Sequence, residues 1–166
     1  MTPQRYNIMT PQFKIVTVCK ASNSRSVVAG CIFRDELRKL GRSDVTVQAA
    51  GFFVNHPGQK PLAGIREVLD SLKIDYSEHR RAAITLDLIA ESTVTFAVDT
   101  DCLKALHNLA PQFKEKIRPL IEGYDVPDSK WRKDPANYIA TVVDPIRKRV
   151  PGLLQEIFWE PKQITL

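Results

Sequence analysis

The amino-acid sequence alternates short apolar runs with longer stretches in which apolar residues recur at helical spacing. Runs of mainly apolar or β-branched residues predict four strands, at 13–18, 45–50, 93–98 and 116–120. Helical periodicity predicts helices at 27–40, 62–72, 86–91, 101–109 and 135–158. Strands that alternate with helices form parallel sheets covered on both faces. The predicted fold class is therefore α/β, with three layers and a central four-stranded parallel sheet flanked by helices.

Glycine, threonine and proline mark where these elements begin and end. Gly41 suits the C-terminal cap of the first helix, and Gly51 opens a loop after the second strand. Thr85 is a predicted N-cap of the short helix that follows it. Pro145 and Pro151 lie inside the last periodic stretch, so we expect them to kink or divide that helix.

The loop between the first strand and the first helix carries the candidate chemistry. Cys19 ends the strand, and Arg25 follows six positions later where the helix begins. The free N–H groups and the dipole of a helix N-terminus favour the thiolate form of Cys19, to which the Ser26 hydroxyl can donate. Loop amides and the Arg25 guanidinium can hold a tetrahedral oxyanion over the sulfur. The predicted oxyanion-binding residues are Lys20, Ala21, Ser22, Asn23, Ser24, Arg25 and Ser26.

Length, charge and cysteine content limit the classes of protein that fit. The 166 residues, 43% of them hydrophobic, predict a loose N-terminal extension at 1–12 and a single domain at 13–166. The net charge of +5 suits an anionic substrate, but scattered basic residues without interleaved aromatics do not indicate nucleic-acid binding. No apolar run is long enough for a signal peptide or a membrane span.

The cysteines predict a reducing, cytoplasmic setting. Their number is three, at positions 19, 31 and 102, and the spacing fits neither a disulfide framework nor a zinc site. No metal or organic cofactor is needed for the chemistry predicted at Cys19. From the loop alone a second interpretation of Cys19 stays open, in which it is a buried and inert core cysteine.

Several separate stretches point to one family. They are Cys19 to Ser26, Ala29 with Ile32-Phe33-Arg34, Val47 to Gly51, His79-Arg80 before Thr85, Asp99 before Leu109-Ala110-Pro111, and Val126-Pro127-Asp128. In these motifs, their order and their approximate spacing, the chain after residue 12 resembles the low-molecular-weight protein tyrosine phosphatases and their arsenate-reductase relatives. A cysteine followed six residues later by arginine is weak evidence by itself, but between a strand and a helix it is moderately strong.

The resemblance implies hydrolysis of a phosphorylated protein or a small phosphomonoester through a phosphocysteine intermediate. Cys19 would be the nucleophile, Arg25 the phosphate ligand and Asp128 the general acid. Asp134 competes for the acid role, although its place before Pro135 favours a helix start. Asp99 is expected either to orient the loop or to cap the following helix, and the other predicted cleft residues are Phe53, Asn55, Lys130 and Trp131.

The chain departs from the family pattern inside the loop itself. Where the family usually has Gly-Asn-x-Cys, this chain has Ala21-Ser22-Asn23-Ser24, and Ala49 replaces a serine at the end of the second strand. We expect strain at Ala21 if its φ is positive. These changes support a second hypothesis, a weakly active or inactive member that binds phosphate or a phosphorylated partner. A third, arsenate reduction, requires redox cysteines near the nucleophile, and neither Cys31 nor Cys102 matches that pattern.

Overall fold

The computed structural model describes residues 13–22, 24–129, 131 and 133–159. The predicted extension at 1–12 and the predicted site residues Asn23 and Lys130 lie outside the described residues. Among the described helices, none is long and apolar enough to cross a membrane.

The sheet has four parallel strands and confirms the predicted fold class. They run in the spatial order β2-β1-β3-β4, with bounds β1 (Phe13–Cys19), β2 (Val45–Gly51), β3 (Val94–Ala97) and β4 (Ile117–Pro119). β1 lies between β2 and β3 and is covered on both faces, so its residues from Ile15 to Cys19 are buried. The register pairs Cys19 with Gly51, which brings the two strand ends together.

The helices follow the predicted order. They are α1 (Arg25–Lys39), α2 (Ala63–Ser71), α3 (Leu86–Glu91), α4 (Thr100–Leu109), α5 (Pro135–Tyr138) and α6 (Asp144–Phe158). A 3-10 helix, Pro111–Lys116, precedes β4, so Lys116 belongs to that turn and not to the strand as predicted. Thr85 caps α3 as predicted, because its hydroxyl accepts a hydrogen bond from the Leu88 amide at 3.1 Å.

The last helix changes its type ahead of the first of its two prolines. A π-helical turn, Ile139–Val143, joins α5 to α6 immediately before Pro145. Proline has no N–H to donate to the carbonyl four residues earlier, and that carbonyl, on Thr141, instead accepts the Tyr124 hydroxyl at 2.7 Å. The prediction that Pro151 divides the helix was wrong, because α6 continues through Pro151.

The connections between strands place the site at one edge of the sheet. The β1–α1–β2 and β3–α4–β4 units run in opposite directions from the central pair β1 and β3. Right-handed crossovers in opposite directions put α1 and α4 on opposite faces of the sheet. A crevice therefore opens beyond the carboxyl ends of β1 and β3, which is where ligands of such sheets bind.

Candidate active site

Cys19 ends β1 inside this crevice, and α1 begins at Arg25 after a short loop. The Cys19 side chain is buried, and its Sγ lies 3.0 Å from the Ser26 Oγ in a hydrogen bond. The Thr17 hydroxyl donates to the Ser26 carbonyl at 2.8 Å, which ties the first turn of α1 to the strand. The sulfur is thus fixed at the N-terminus of a long helix, in the place that the sequence predicted.

The loop passes through the left-handed region at Ser22, where φ is +54°, and not at Ala21. The condition for strain at Ala21, a positive φ, is therefore not met there and is met one residue later. Ser22 is fully buried, and its Oγ has no hydrogen-bond partner within the described part of the chain. Gly51 of β2 admits the loop, because a Cβ there would lie 2.4 Å from the Ser22 nitrogen and 2.6 Å from the Ala21 carbonyl carbon.

Ser24 is joined to the last helix by a contact that the sequence did not indicate. Its Oγ lies 2.6 Å from the hydroxyl of Tyr138, which is fully buried at the end of α5. Burial raises the pKa of Tyr138 to about 12, so the hydroxyl stays protonated. The hydrogen bond between Ser24 and Tyr138 therefore ties the loop to a residue 114 positions away along the chain.

Arg25 is buried and held by two partners on other elements. Its Nη1 donates to Asp99 Oδ2 at 2.6 Å and to the Val126 carbonyl at 2.9 Å. Burial alone would lower the pKa of Arg25, but the Asp99 hydrogen bond and the nearby Cys19, Asp99 and Asp128 charges outweigh it and raise that pKa. The guanidinium is thus a fixed cation, and within the described residues no hydrogen bond occupies its Nε and Nη2 groups, which can donate to a ligand.

Asp99 makes two contacts that bear on the roles proposed for it. Its Oδ1 accepts from the Cys102 amide at 2.8 Å and so caps α4, while its Oδ2 holds Arg25. Burial opposes ionisation of this carboxyl, but the hydrogen bonds from Cys102 and Arg25 prevail and lower the pKa of Asp99. One carboxylate therefore couples the start of α4 to the guanidinium.

Of the two candidate acids, Asp128 is the one at the site. Its Oδ1 lies 3.9 Å from the Arg25 Nε, and its side chain is 76% exposed. Asp134 instead caps α5, accepting from the Asn137 amide at 3.0 Å. A carboxyl that is open to solvent and close to the guanidinium is placed to exchange protons with a bound ligand.

A cavity of about 430 Å³ is bounded by the side chains of Arg25, Asp99 and Asp128. Its lining residues are Lys20, Arg25, Phe52, Phe53, Asp99, Asp101, Cys102, Ala105 and Asp128. Phe53 is 70% exposed at the rim, and its amide donates to the Lys20 carbonyl at 2.8 Å. Asn55 has its carbonyl turned to Arg81 at 3.2 Å, and Trp131 packs on α2 at Gly64, so the structure brings neither into the lining of this cavity.

All three cysteines are free thiols. Burial raises the pKa of Cys31 to about 11 and that of Cys102 to about 12, where the Asp99 carboxylate adds to the effect. Cys102 nevertheless lines the cavity from the first turn of α4, a position that its spacing in the sequence did not show. Within the described residues, no group of three or more His, Cys, Asp and Glu side chains is placed to hold a metal ion.

Comparison with known proteins agrees with this geometry. The model of the family "Low molecular weight phosphotyrosine protein phosphatase" matches residues 14–163. A protein of that name from Schizosaccharomyces pombe is 28% identical over 131 residues, which cover 76% of this chain and 83% of the relative.

Solved structures share the fold. YfkJ from Bacillus subtilis has a TM-score of 0.78 at 24% identity, covering 90% of this chain and 97% of that one. The low molecular weight protein tyrosine phosphatase from T. tengcongensis has a TM-score of 0.75 at 23% identity, with 87% and 99% covered. The chain therefore belongs to the low-molecular-weight phosphotyrosine protein phosphatase family, a family of phosphatases.

Proposed function

We propose that the protein hydrolyses phosphate monoesters through a phosphocysteine intermediate on Cys19. The observation that carries the proposal is that Arg25 and Asp128 line one cavity at the N-terminus of α1, while the Cys19 Sγ lies 3.0 Å from the Oγ of Ser26, the residue that follows Arg25. Membership of a phosphatase family supports it. The substrate would be a phosphorylated protein or a small phosphomonoester, with Phe52 and Phe53 as an apolar wall beside its leaving group.

In the first step the Cys19 thiolate attacks phosphorus in line with the leaving oxygen. An S–P bond forms, the P–O bond to the leaving group breaks, and Asp128 gives its proton to the departing oxygen. The Nε and Nη2 groups of Arg25, together with the loop amides, stabilise the equatorial oxygens, since Nη1 is already held by Asp99 and the Val126 carbonyl.

In the second step water attacks the phosphocysteine, and the carboxylate of Asp128 accepts the proton of that water. The S–P bond breaks, the electron pair returns to sulfur as thiolate, and inorganic phosphate leaves. The Ser26 hydroxyl, whose Oγ lies 3.0 Å from the sulfur, stabilises the thiolate in both steps.

A second candidate function is phosphate binding with slow or no turnover. The left-handed φ and the buried Oγ of Ser22 favour it, because a loop that carries strain and an unpaired hydroxyl is less well preorganised for the transition state. Arsenate reduction ranks last, because burial keeps the Cys102 thiol protonated in the cavity wall.

The test is a series of aryl phosphates that differ in leaving-group pKa, assayed with the reduced protein from mildly acidic to neutral pH. Cys19→Ser should abolish hydrolysis. Asp128→Asn should slow poor leaving groups roughly 100-fold or more but good ones far less, because only a poor leaving group needs protonation in the transition state. Asp101→Asn is the matched control, since Asp101 lines the same cavity but is not one of the carboxylates that pair with Arg25 in the described chain, and it should behave as wild type.

Two results would overturn parts of this proposal. The first is the absence of Cys19-dependent hydrolysis from a protein that still binds phosphate in the loop, which would establish the binding function instead. The second is an Asp128→Asn effect of equal size on all leaving groups, which would remove Asp128 from the acid role.

A further inference from the structure

A second cavity, of about 410 Å³, lies between the start of α2 and the segment that precedes α3. We call it the basic cavity, because Lys60, Arg66, Arg80 and Arg81 all line it. Its wall also includes Leu62 and Ala63 at the first turn of α2. None of these residues lines the cavity at Arg25 and Asp128.

The four cations have no carboxylate partner within 4.0 Å among the residues that the structure describes. Most other arginines of the described chain do have one: Arg25, Arg34, Arg38, Arg42, Arg118 and Arg149. Three of the four described arginines without such a partner therefore line this one cavity. Four positive charges at close range raise the local concentration of anions.

Two of the guanidinium groups are held in place by neutral partners. Arg81 donates to the carbonyls of Lys60 and Asn55, at 3.2 Å each, and Arg80 donates to those of Ser77 and His79 at 2.9 and 2.7 Å. Carbonyls orient a guanidinium without neutralising its charge.

Arg66 and the N-terminus of α2 add to the positive potential of the basic cavity. The Nε of Arg66 is buried and has no partner within the described part of the chain. α2 begins here with no side-chain cap from Leu62 and no acidic residue in its first turn. Its free N–H groups therefore remain available to an anion.

We propose that the basic cavity is a second oxyanion site, separate from the Cys19 loop, that takes a phosphate group. Its donors are two carbonyl-oriented guanidiniums, the Arg66 guanidinium, the Lys60 ammonium and the first amides of α2. The phosphate can be free inorganic phosphate or a second phosphate on a multiply phosphorylated substrate. The site goes beyond the proposed hydrolysis and does not depend on turnover.

The experiment is a titration of the labelled full chain with inorganic phosphate, followed by backbone amide shifts. Amides of Gly58, Gln59, Ala63 and Arg81 should saturate with a dissociation constant different from that of the Lys20–Ser26 amides. Lys60→Gln with Arg66→Gln removes two charges without removing any hydrogen bond described above, and it should weaken the second site roughly tenfold. The loop amides should keep their affinity.

Arg147→Gln with Lys148→Gln is the matched control, because it makes the same change of charge on exposed residues of α6. It should leave both affinities unchanged. Shifts that never saturate, or that are equally weakened in the control pair, would show only a general attraction of anions and would overturn the site. Because the readout is binding, loss of hydrolysis would not affect it, and loss of this site would leave the hydrolysis test intact.

A second arm separates the two sources of phosphate. In Cys19→Ser protein, a doubly phosphorylated peptide should bind roughly tenfold tighter than its singly phosphorylated form if one chain supplies both groups, and the Lys60/Arg66 double variant should remove that gain. Equal binding of the two peptides, with saturable inorganic phosphate, assigns the site to the free ion.

Discussion

At residue 22 the loop between β1 and α1 combines a left-handed backbone with a buried serine hydroxyl that has no partner in the described chain. Both features cost free energy, since a non-glycine residue is strained at positive φ and a buried hydroxyl loses its hydrogen bonds to water. The neighbouring Ala21 has neither feature. Replacement by glycine should therefore change the free energy of unfolding in opposite directions at the two positions.

Ser22→Gly should raise the free energy of unfolding by about 1 kcal/mol, because relief of strain and of the unpaired hydroxyl exceeds the added chain entropy. Ala21→Gly, the adjacent control, should lower it by about 0.5–1 kcal/mol through chain entropy alone. Denaturant melts of the two variants beside wild type measure both values. Destabilisation by both substitutions would show that the Ser22 hydroxyl has a stabilising partner.

Thiol reactivity is the second prediction at this scale. Cys19 should be the thiol alkylated by iodoacetate near pH 6, with phosphate protecting it, because it lies at the N-terminus of α1 beside Arg25. Burial raises the pKa of Cys31 to about 11 and that of Cys102 to about 12, so both thiols should stay unmodified. Mass spectrometry of the labelled peptides measures the three rates, and Cys19→Ser protein is the control. Modification of Cys102 at the rate of Cys19 would contradict the assignment.

Some residues of the site could be predicted from the sequence, and others could not. Cys19 and Arg25 were predictable because they lie within one strand–loop–helix unit, where spacing and local geometry coincide. The bond from Ser24 to Tyr138 was not, because no periodic pattern relates a loop to a side chain 114 residues away. The same holds for Cys102, which reaches the cavity through the tertiary placement of α4.

Among the elements, the loop that carries Asp128 is docked by Trp131 on α2. The contact requires a glycine, since a Cβ at Gly64 would lie 1.8 Å from the Trp131 Cζ2 atom. The indole packs directly on helix backbone. Asp128 is three residues before this contact, so the position of the candidate acid depends on it.

Gly64→Ala should displace Trp131 and slow hydrolysis of poor leaving groups by roughly tenfold or more, with good leaving groups much less affected, because the acid moves while the nucleophile stays. The alkylation rate of Cys19 should be unchanged. Gly152→Ala on α6 is the matched control, since a Cβ there meets only the flexible end of Arg149, at 3.1 Å. Leaving-group dependence of kcat and tryptophan fluorescence measure the effect, and equal loss for all substrates would indicate general damage to the fold.

The type of each element could be predicted wherever the hydrophobic periodicity was strong. The prediction was wrong where a tertiary contact changed the local hydrogen bonding. All four strands and the order of the helices follow the apolar pattern. The π-helical turn at Ile139–Val143 did not, because it arises where Pro145 frees the Thr141 carbonyl and Tyr124 supplies a donor from another segment. Proline composition indicates a perturbation but not its form.

At the scale of the whole molecule, the fold buries a histidine against arginines from two segments. His79 is fully buried, and neither ring nitrogen has a hydrogen-bond partner among the described residues. Burial, with the positive charges of Arg34, Arg81 and Arg80, lowers the pKa of His79 from 6.5 to about 4. Between pH 6.5 and about pH 4, His79 therefore binds a proton in the unfolded chain but not in the folded chain.

Because the unfolded state binds more protons in this range, stability falls as the pH falls from about 6.5 toward 4. We expect a loss of about 2 kcal/mol in the free energy of unfolding between pH 7 and pH 5, from a shift of this size. His79→Gln should flatten that dependence, whereas His107→Gln, at a half-buried position of α4, should retain it. The carboxyls with lowered pKa, such as Asp44 and Asp99, have ordinary values near 3.8 and contribute below this window. Denaturant melts in steps from pH 7 to pH 5 measure the slope, and an unchanged slope in His79→Gln would place the destabilising proton on another group.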